Sequence, residues 1–304
     1  MSAIASSGGV SPDPNYSLKP SGNLRRRIFI SRTFVTATVA AAALAVIVLF
    51  ILVYYAAYHG ISQWSGSFFT SQLPAYGGIG GAGGIGPAIV GTAEVVLIAT
   101  VVAFPVGLLT AIYLSEFANP RISKVVTTAL EQMAGLPTII CGVFLFGLLV
   151  NHHGQSALAV GLALAIVEVP LIARATVEAL RRVPETIREA ADALGVANWR
   201  TVVGVIVPTA ANGIVTATIL AVARAAGETA PALLLSNAFG QGYQLNPFHA
   251  VPTIPVVILN LLNSGVSQEV DMAWGAAFFL MIVILVVNIG ARVWLRRSER
   301  KRGL

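Results

Sequence analysis

Long apolar runs dominate the chain. They extend roughly from Thr33 to Tyr58, Ala88 to Ser115, Gln132 to Val150, Ser156 to Ala173, Thr209 to Leu235 and Ala273 to Ala291. A helix crosses the hydrocarbon core in about 20 residues. Transmembrane strands would show short alternating segments instead, and these runs are continuous. The pattern predicts an all-α membrane protein with six transmembrane helices.

Composition agrees. The 304 residues are 56% hydrophobic and 11% charged, against about 25% charged for a soluble domain. Such a chain cannot cover itself with polar groups, so lipid must be the solvent for most of it. The first run is 26 residues without a charge, longer than the apolar region of a cleavable signal peptide. The segment before it, "MSAIASSGGVSPDPNYSLKPSGN", is rich in Ser, Gly and Pro and reads as disordered. Cys141 is the only cysteine, which excludes an intrachain disulfide, and its apolar run suits a small buried residue.

Basic residues set the orientation, because Lys and Arg mark the cytoplasmic side. They cluster in the N-terminal tail, at Arg121 and Lys124, between Arg174 and Arg200, and after Arg292. The connections Gly60–Pro87, Asn151–Gln155 and Ser236–Met272 contain none. Both termini are therefore expected in the cytoplasm. The net charge of +6 then faces the inner leaflet and needs no nucleic acid to explain it.

One arginine falls outside this scheme. "AVARAAGETAPALLL" places Arg224 and Glu228 at i, i+4 within the fifth run, a spacing that puts both on one side of a helix. A charge at the bilayer centre costs at least about 2.5–3.5 kcal/mol, and pairing offsets that cost without making the pair a net stabiliser. Two readings stand. The pair fixes helix register among small neighbours, or it lines a pathway and Arg224 binds an anion in one state. Intramembrane ionisable groups mark pathways by default, which favours the second. Glu94 and Glu168 are further carboxylates within runs. Glu94 lies near the outer end, within reach of headgroups. Glu168 lies deeper, beside Pro170, as an interhelical or pore-side group with proton coupling as its functional alternative.

The longest basic loop, residues 184–208, reads as short helices. Pro184 suits a first helical position and Glu185 the positive end of the helix dipole. Ile187, Ala190, Ala191 and Leu194 share one face, Gly195 suits a left-handed C-terminal cap, and Asn198 can cap a second helix. Pro208 marks a bend into the fifth span. In this loop "EAADALGVANWRTVVGVIVP" closely resembles the EAA loop of ABC importer permeases: Glu-Ala-Ala, three residues, Gly, nine residues, then a hydrophobic-x-hydrophobic-Pro end. The resemblance implies the type I ABC importer permease fold. It also implies a coupling helix, with Glu189, Ala190, Ala191 and Gly195 at the contact with a separate ATPase subunit.

"GGIGPAIVGT" at 83–92 and "YLSEFANP" at 113–120, with the Arg224 segment, resemble the phosphate importer permease of the PstA type. That family implies a heterodimer with a PstC-type permease, a PstB-type ATPase dimer inside, a phosphate-binding protein outside, and inorganic phosphate as cargo. It also places the chain in the plasma (inner) membrane of a prokaryote. The organisation expected is a basic tail at 1–32, a first helix and Gly-rich outside loop at 33–86, a permease core at 87–292 and a basic C-terminus at 293–304.

No enzyme is expected on this chain. Lys19, Lys124 and Lys301 are its only lysines, and none lies in a phosphate-cradling G-x-x-x-x-G-K-[ST] loop. ATP and Mg belong to the partner ATPase, and the chain itself is expected to hold no cofactor. Gly78-x-Gly80-x-x-Gly83 spells a dinucleotide fingerprint by letters, but no strand precedes it. His152 and His153 are adjacent, and His59 and His249 isolated, without the three or four convergent ligands of a metal site. Two alternatives stay open: a permease for sulfate, molybdate or another oxyanion, and a self-sufficient channel or proton-coupled carrier. The EAA loop disfavours the carrier, which has no need of a docking helix. Gly195→Asp should stop uptake while leaving membrane insertion intact, as read by transport assay and membrane fractionation; normal uptake would remove the docking assignment.

Overall fold

The computed structural model describes residues 24–74, 83–240 and 242–302, and among them all regular structure is helical. The tail up to residue 23, and residues 75–82 with most of the glycine fingerprint, lie outside the described residues.

The chain divides after Tyr54 into two units. The described part of the first is the long helix α1 (Leu24–Gly60) as far as that division. Its apolar side chains, Phe34, Leu44, Phe50 and Leu52 among them, are exposed all round. A helix that is apolar on every face has no stripe to direct at a core and belongs in a membrane.

The second unit begins with the end of α1, a short 3-10 turn and α2 (Gly66–Thr70). Helix α3 (Gly86–Ile112) starts with Pro87 in its first turn, where the missing N–H costs nothing, and runs into a π-helical turn at Tyr113–Phe117. Next is α4 (Pro120–Gly135), capped by the Asn119 side chain, which accepts from the Ile122 N–H at 2.9 Å. Helix α5 (Thr138–Leu145) continues through a π-helical turn into α6 (Asn151–His153). Then come α7 (Ala157–Arg181), α8 (Glu185–Ala193) and α9 (Asn198–Thr201). A π-helical turn at Val202–Ile206 leads into α10 (Val207–Ala225), followed by α11 (Ala230–Leu235), α12 (Ile254–Leu262) and α13 (Ser267–Arg302).

Five helices among the described residues are long and apolar enough to cross a membrane, or six if one bent pair is a single span. That pair corrects the third expected span. Gln132 to Gly135 belong to α4, and the chain turns by 91° before the helix that starts at Thr138. Pro137 forces the residue before it out of the helical region, and Leu136 is extended at φ −66°, ψ 135°. Pro208 errs in the other direction, because the helix runs straight through it. In the π-helical turn the Val207 N–H reaches back to the Val202 carbonyl, and the Thr209 hydroxyl bonds the Val205 carbonyl at 2.6 Å. The looser turn absorbs the ring that an α-turn would reject.

Helix α7 is the centre of the unit, packed on α3, α10, α4, α5 and α11. Gly161 lies against Val95 and Ile98, and Gly107 lies against Ile172 and Ala173. The numbers rise together, so α3 and α7 run parallel. Along α10 they run oppositely, with Gly213 on Ala179 and Ala221 in the cluster with Ala165. Small residues let these backbones approach closely, which lipid does not otherwise promote. A Cβ on Gly161 would stand 2.5 Å from Ile98 Cγ2 and 2.7 Å from its Cβ. Gly161→Leu should therefore push α3 from α7 at a cost of about 1–3 kcal/mol, seen as a lower Tm of the detergent-purified protein.

Candidate functional site

The fifth span is broken where its charges lie. Helix α10 ends at Ala225 and α11 begins at Ala230. Between them the Gly227 and Glu228 N–H groups turn back to the carbonyls of Arg224 and Ala225 at 3.0 and 3.1 Å. Gly227 is a poor helix former, and Pro231 has no N–H to offer the Gly227 carbonyl. Arg224 and Glu228 thus do not share one side of a continuous helix, as their spacing alone suggested. They still meet, with Arg224 Nε 3.6 Å from Glu228 Oε1.

The two partners are held very differently. The Glu228 side chain is only 17% exposed, and its second oxygen accepts from the Thr138 hydroxyl at 3.2 Å. Thr138 is the first residue of α5, where unpaired N–H groups favour a negative charge. Gly142 of α5 packs against Pro231, closing the gap between α5 and α11. Arg224 is 55% exposed and lines a cavity of about 780 Å³. A charge-assisted hydrogen bond would be about 2.7–2.9 Å long, so Glu228 holds Arg224 loosely. The fixed member of the pair is the acid.

The same cavity receives Arg174, Glu178 and Arg181 from one face of α7 and Glu131 from α4. Arg181 and Glu178 are exposed and 4.0 Å apart, a pair of little energetic weight. Arg174 is exposed and, among the described residues, unpaired. Sequence reasoning used Arg174 and Arg181 only as topological markers. Their spacing of seven with Glu178 between them, a single helical face, was the available sign. Thr138 carried no local sign, since only the fold brings it to Glu228.

The other intramembrane acids stand apart. Glu168 is 1% exposed, among the described residues neither of its oxygens has a hydrogen-bond partner, and it does not line the Arg224 cavity. Glu94 was expected to reach headgroups, but both its oxygens are buried and, among the described residues, unbonded. Cys141 is buried, as its apolar run suggested.

In the basic loop, α8 begins at Glu185 with Pro184 as the residue before it. The expected apolar face divides. Ile187 and Ala191 turn inward together with Arg188, whereas Ala190 and Leu194 face out, Leu194 at 81% exposure. Glu189 and Gly195 are also exposed, so of the four resemblance-derived positions only Ala191 is part-buried. Val196 and Trp199 are exposed as well, with the Arg200 guanidinium 5.3 Å from the Trp199 ring. Gly195 has φ +66°, and the end of α8 closes with Gly195 N–H to Asp192 and Val196 N–H to Ala191 carbonyls at 3.0 and 3.1 Å. This is the Schellman arrangement that a left-handed residue permits. A Cβ at Gly195 would meet nothing within 4 Å. The second cap was misplaced: α9 is preceded by Ala197, without a side-chain cap, and Asn198 is its first residue.

Residues 103–303 match the family model described as "Binding-protein-dependent transport system inner membrane component". The chain is 39% identical over 226 residues to the "Phosphate transport system permease protein PstA 1" of Mycobacterium tuberculosis H37Rv, covering 73% of each. It is 38% identical over 215 residues to the "Probable phosphate transport system permease protein PstA" of Methanocaldococcus jannaschii, covering 70% of this chain and 76% of that one. Identity to the corresponding protein of Yersinia pestis is 33% over 236 residues, covering 77% and 79%. Among solved structures the fold is similar to a chain of a bacterial alginate ABC transporter at TM-score 0.61 and 16% identity, covering 90% and 96%. It is also similar to a chain of the MetNI methionine ABC transporter at TM-score 0.54 and 19% identity, covering 70% and 93%.

Proposed function

The chain belongs to the family of binding-protein-dependent transport system inner membrane components, and on that premise we propose that it is the PstA-type permease subunit of an ATP-driven phosphate importer. It is a multi-pass component of the inner membrane that works in a complex with other ABC transporter subunits, and it is not itself an enzyme. In our reading a PstC-type permease supplies the other half of the pathway. Both termini lie in the cytoplasm, where a pair of PstB-type ATPase subunits with ATP and Mg2+ receives the outward face of α8. A phosphate-binding protein delivers cargo on the opposite side.

The observation that carries the phosphate path is the unequal grip on the Arg224–Glu228 pair. A guanidinium can present two parallel N–H donors to phosphate oxygens. Arg224 has donors to spare and an open cavity before it, while Glu228 stays fixed by Thr138 as the counter-ion to which Arg224 returns. Arg174 and Arg181 continue the positive lining towards the basic loop, and Glu131 and Glu178 keep it from holding an anion too tightly. Passage needs several weak stations, because a site that binds too well does not release.

Labelled phosphate uptake by the reconstituted complex, with sulfate as competitor, tests the cargo. Uptake insensitive to excess sulfate is expected; equal competition would indicate a general oxyanion path. Arg224→Gln should lower uptake at least tenfold, about 1.4 kcal/mol or more, with the complex still assembled. Loss of assembly in that variant, with transport restored by joint Arg224→Leu and Glu228→Leu substitutions, would reduce the pair to a structural contact.

A further inference from the structure

Arg188 immediately precedes Glu189-Ala190-Ala191 and faces the opposite way, into the protein. Its Nε and Nη2 donate to the two carboxylate oxygens of Glu116 at 3.1 and 3.0 Å. Nη1 donates to the Val183 carbonyl at 3.0 Å and to the Glu185 carboxylate at 3.2 Å. Nη2 also donates to the Leu180 carbonyl at 3.2 Å. A guanidinium carries five N–H bonds in a rigid fork, and the acceptors here match all of them.

These acceptors belong to separate pieces of the molecule. Leu180 is in the last turn of α7, Val183 lies in the connection to α8, and Glu185 opens α8. Glu116 lies in the π-helical turn that ends α3. Its side chain is 7% exposed, and it takes a further hydrogen bond from Ser115 Oγ at 2.8 Å. The hydrogen bond from Arg188 to Glu116, joined by the carboxylate's charge, raises the guanidinium above its ordinary value.

We infer that Glu116 and Arg188 are the positioning pair through which a displacement of α8 reaches α3 and α7. The inference rests on the reading of α8 as the ATPase-docking helix. A loop joined to the spans only by backbone could bend and absorb a push. Here one planar group ties the start of α8 to the ends of two parallel helices, so that they move together. Helix α7 also carries Arg174 on the cavity wall, which links the displaced element to the anion path. The bidentate geometry explains the residue type, since a lysine reaching the same place could hold Glu116 but not the carbonyls and Glu185 as well.

The test uses the whole complex with Leu220→Cys, an exposed position on the cavity wall, while the native Cys141 is buried. Maleimide labelling at that position is followed with and without ATP and vanadate, in the presence of Glu116 or of Glu116→Gln. The nucleotide-dependent change in labelling rate should fall at least tenfold in Glu116→Gln, with ATP hydrolysis and the ATPase subunits retained, and return partly in Glu116→Asp. An undiminished change in Glu116→Gln overturns the inference. So does loss of the ATPase subunits, which would mean that the pair only shapes the docking surface. Labelling reports movement whatever the cargo, so failure of phosphate uptake in the unmodified complex would count against the phosphate reading and leave this result standing.

Discussion

A backbone group without a hydrogen-bond partner costs several kcal/mol in hydrocarbon, and every irregularity in this chain has to answer to that cost. Along most of the apolar runs the answer is an unbroken helix. Where the helix fails, at Leu136–Pro137 and at Ala226–Thr229, the two faults are brought together. Thr138 at the first gap donates to Glu228 in the second, and Gly142 packs on Pro231 beside them. The backbone of each break turns back on its own segment, Leu136 N–H to the Met133 carbonyl and Glu228 N–H to the Ala225 carbonyl, while side chains bridge the two and Arg224 stands at their joint edge.

That constraint decides the chemistry. In a continuous fifth helix, Arg224 and Glu228 would neutralise each other as a simple i, i+4 pair. The break lets the acid leave the helix axis for the start of α5, and the arginine is left looking into the cavity. A polar irregularity inside a membrane protein is tolerated where it lines such a space. Local backbone failure and an available cation are therefore two aspects of one arrangement.

Much of this was legible in the sequence. Uninterrupted hydrophobicity located the spans, and the left-handed end of α8 followed from Gly195 because few other residues accept that conformation. Prolines were less readable. Pro137 stops a helix, whereas Pro105, Pro170 and Pro208 lie within helices, Pro208 just after a π-helical turn. The face of α8 was partly misread because periodicity cannot say which of two small-residue faces turns inward. Ile187 and Ala191 do, Ala190 and Leu194 do not, and Arg188 makes the choice by turning towards Glu116. That acid lies 72 residues away along the chain, where local pattern has no reach.

Arg188 and Arg224 are identical in composition and opposite in valency. The guanidinium of the first is saturated, so it has no free coordination to give an incoming anion, however near that anion comes. The second is coordinatively open, and an oxyanion can complete it without dismantling anything else. Vacant donors, rather than positive charge, are what set Arg224 apart from Arg188 in the proposed phosphate path.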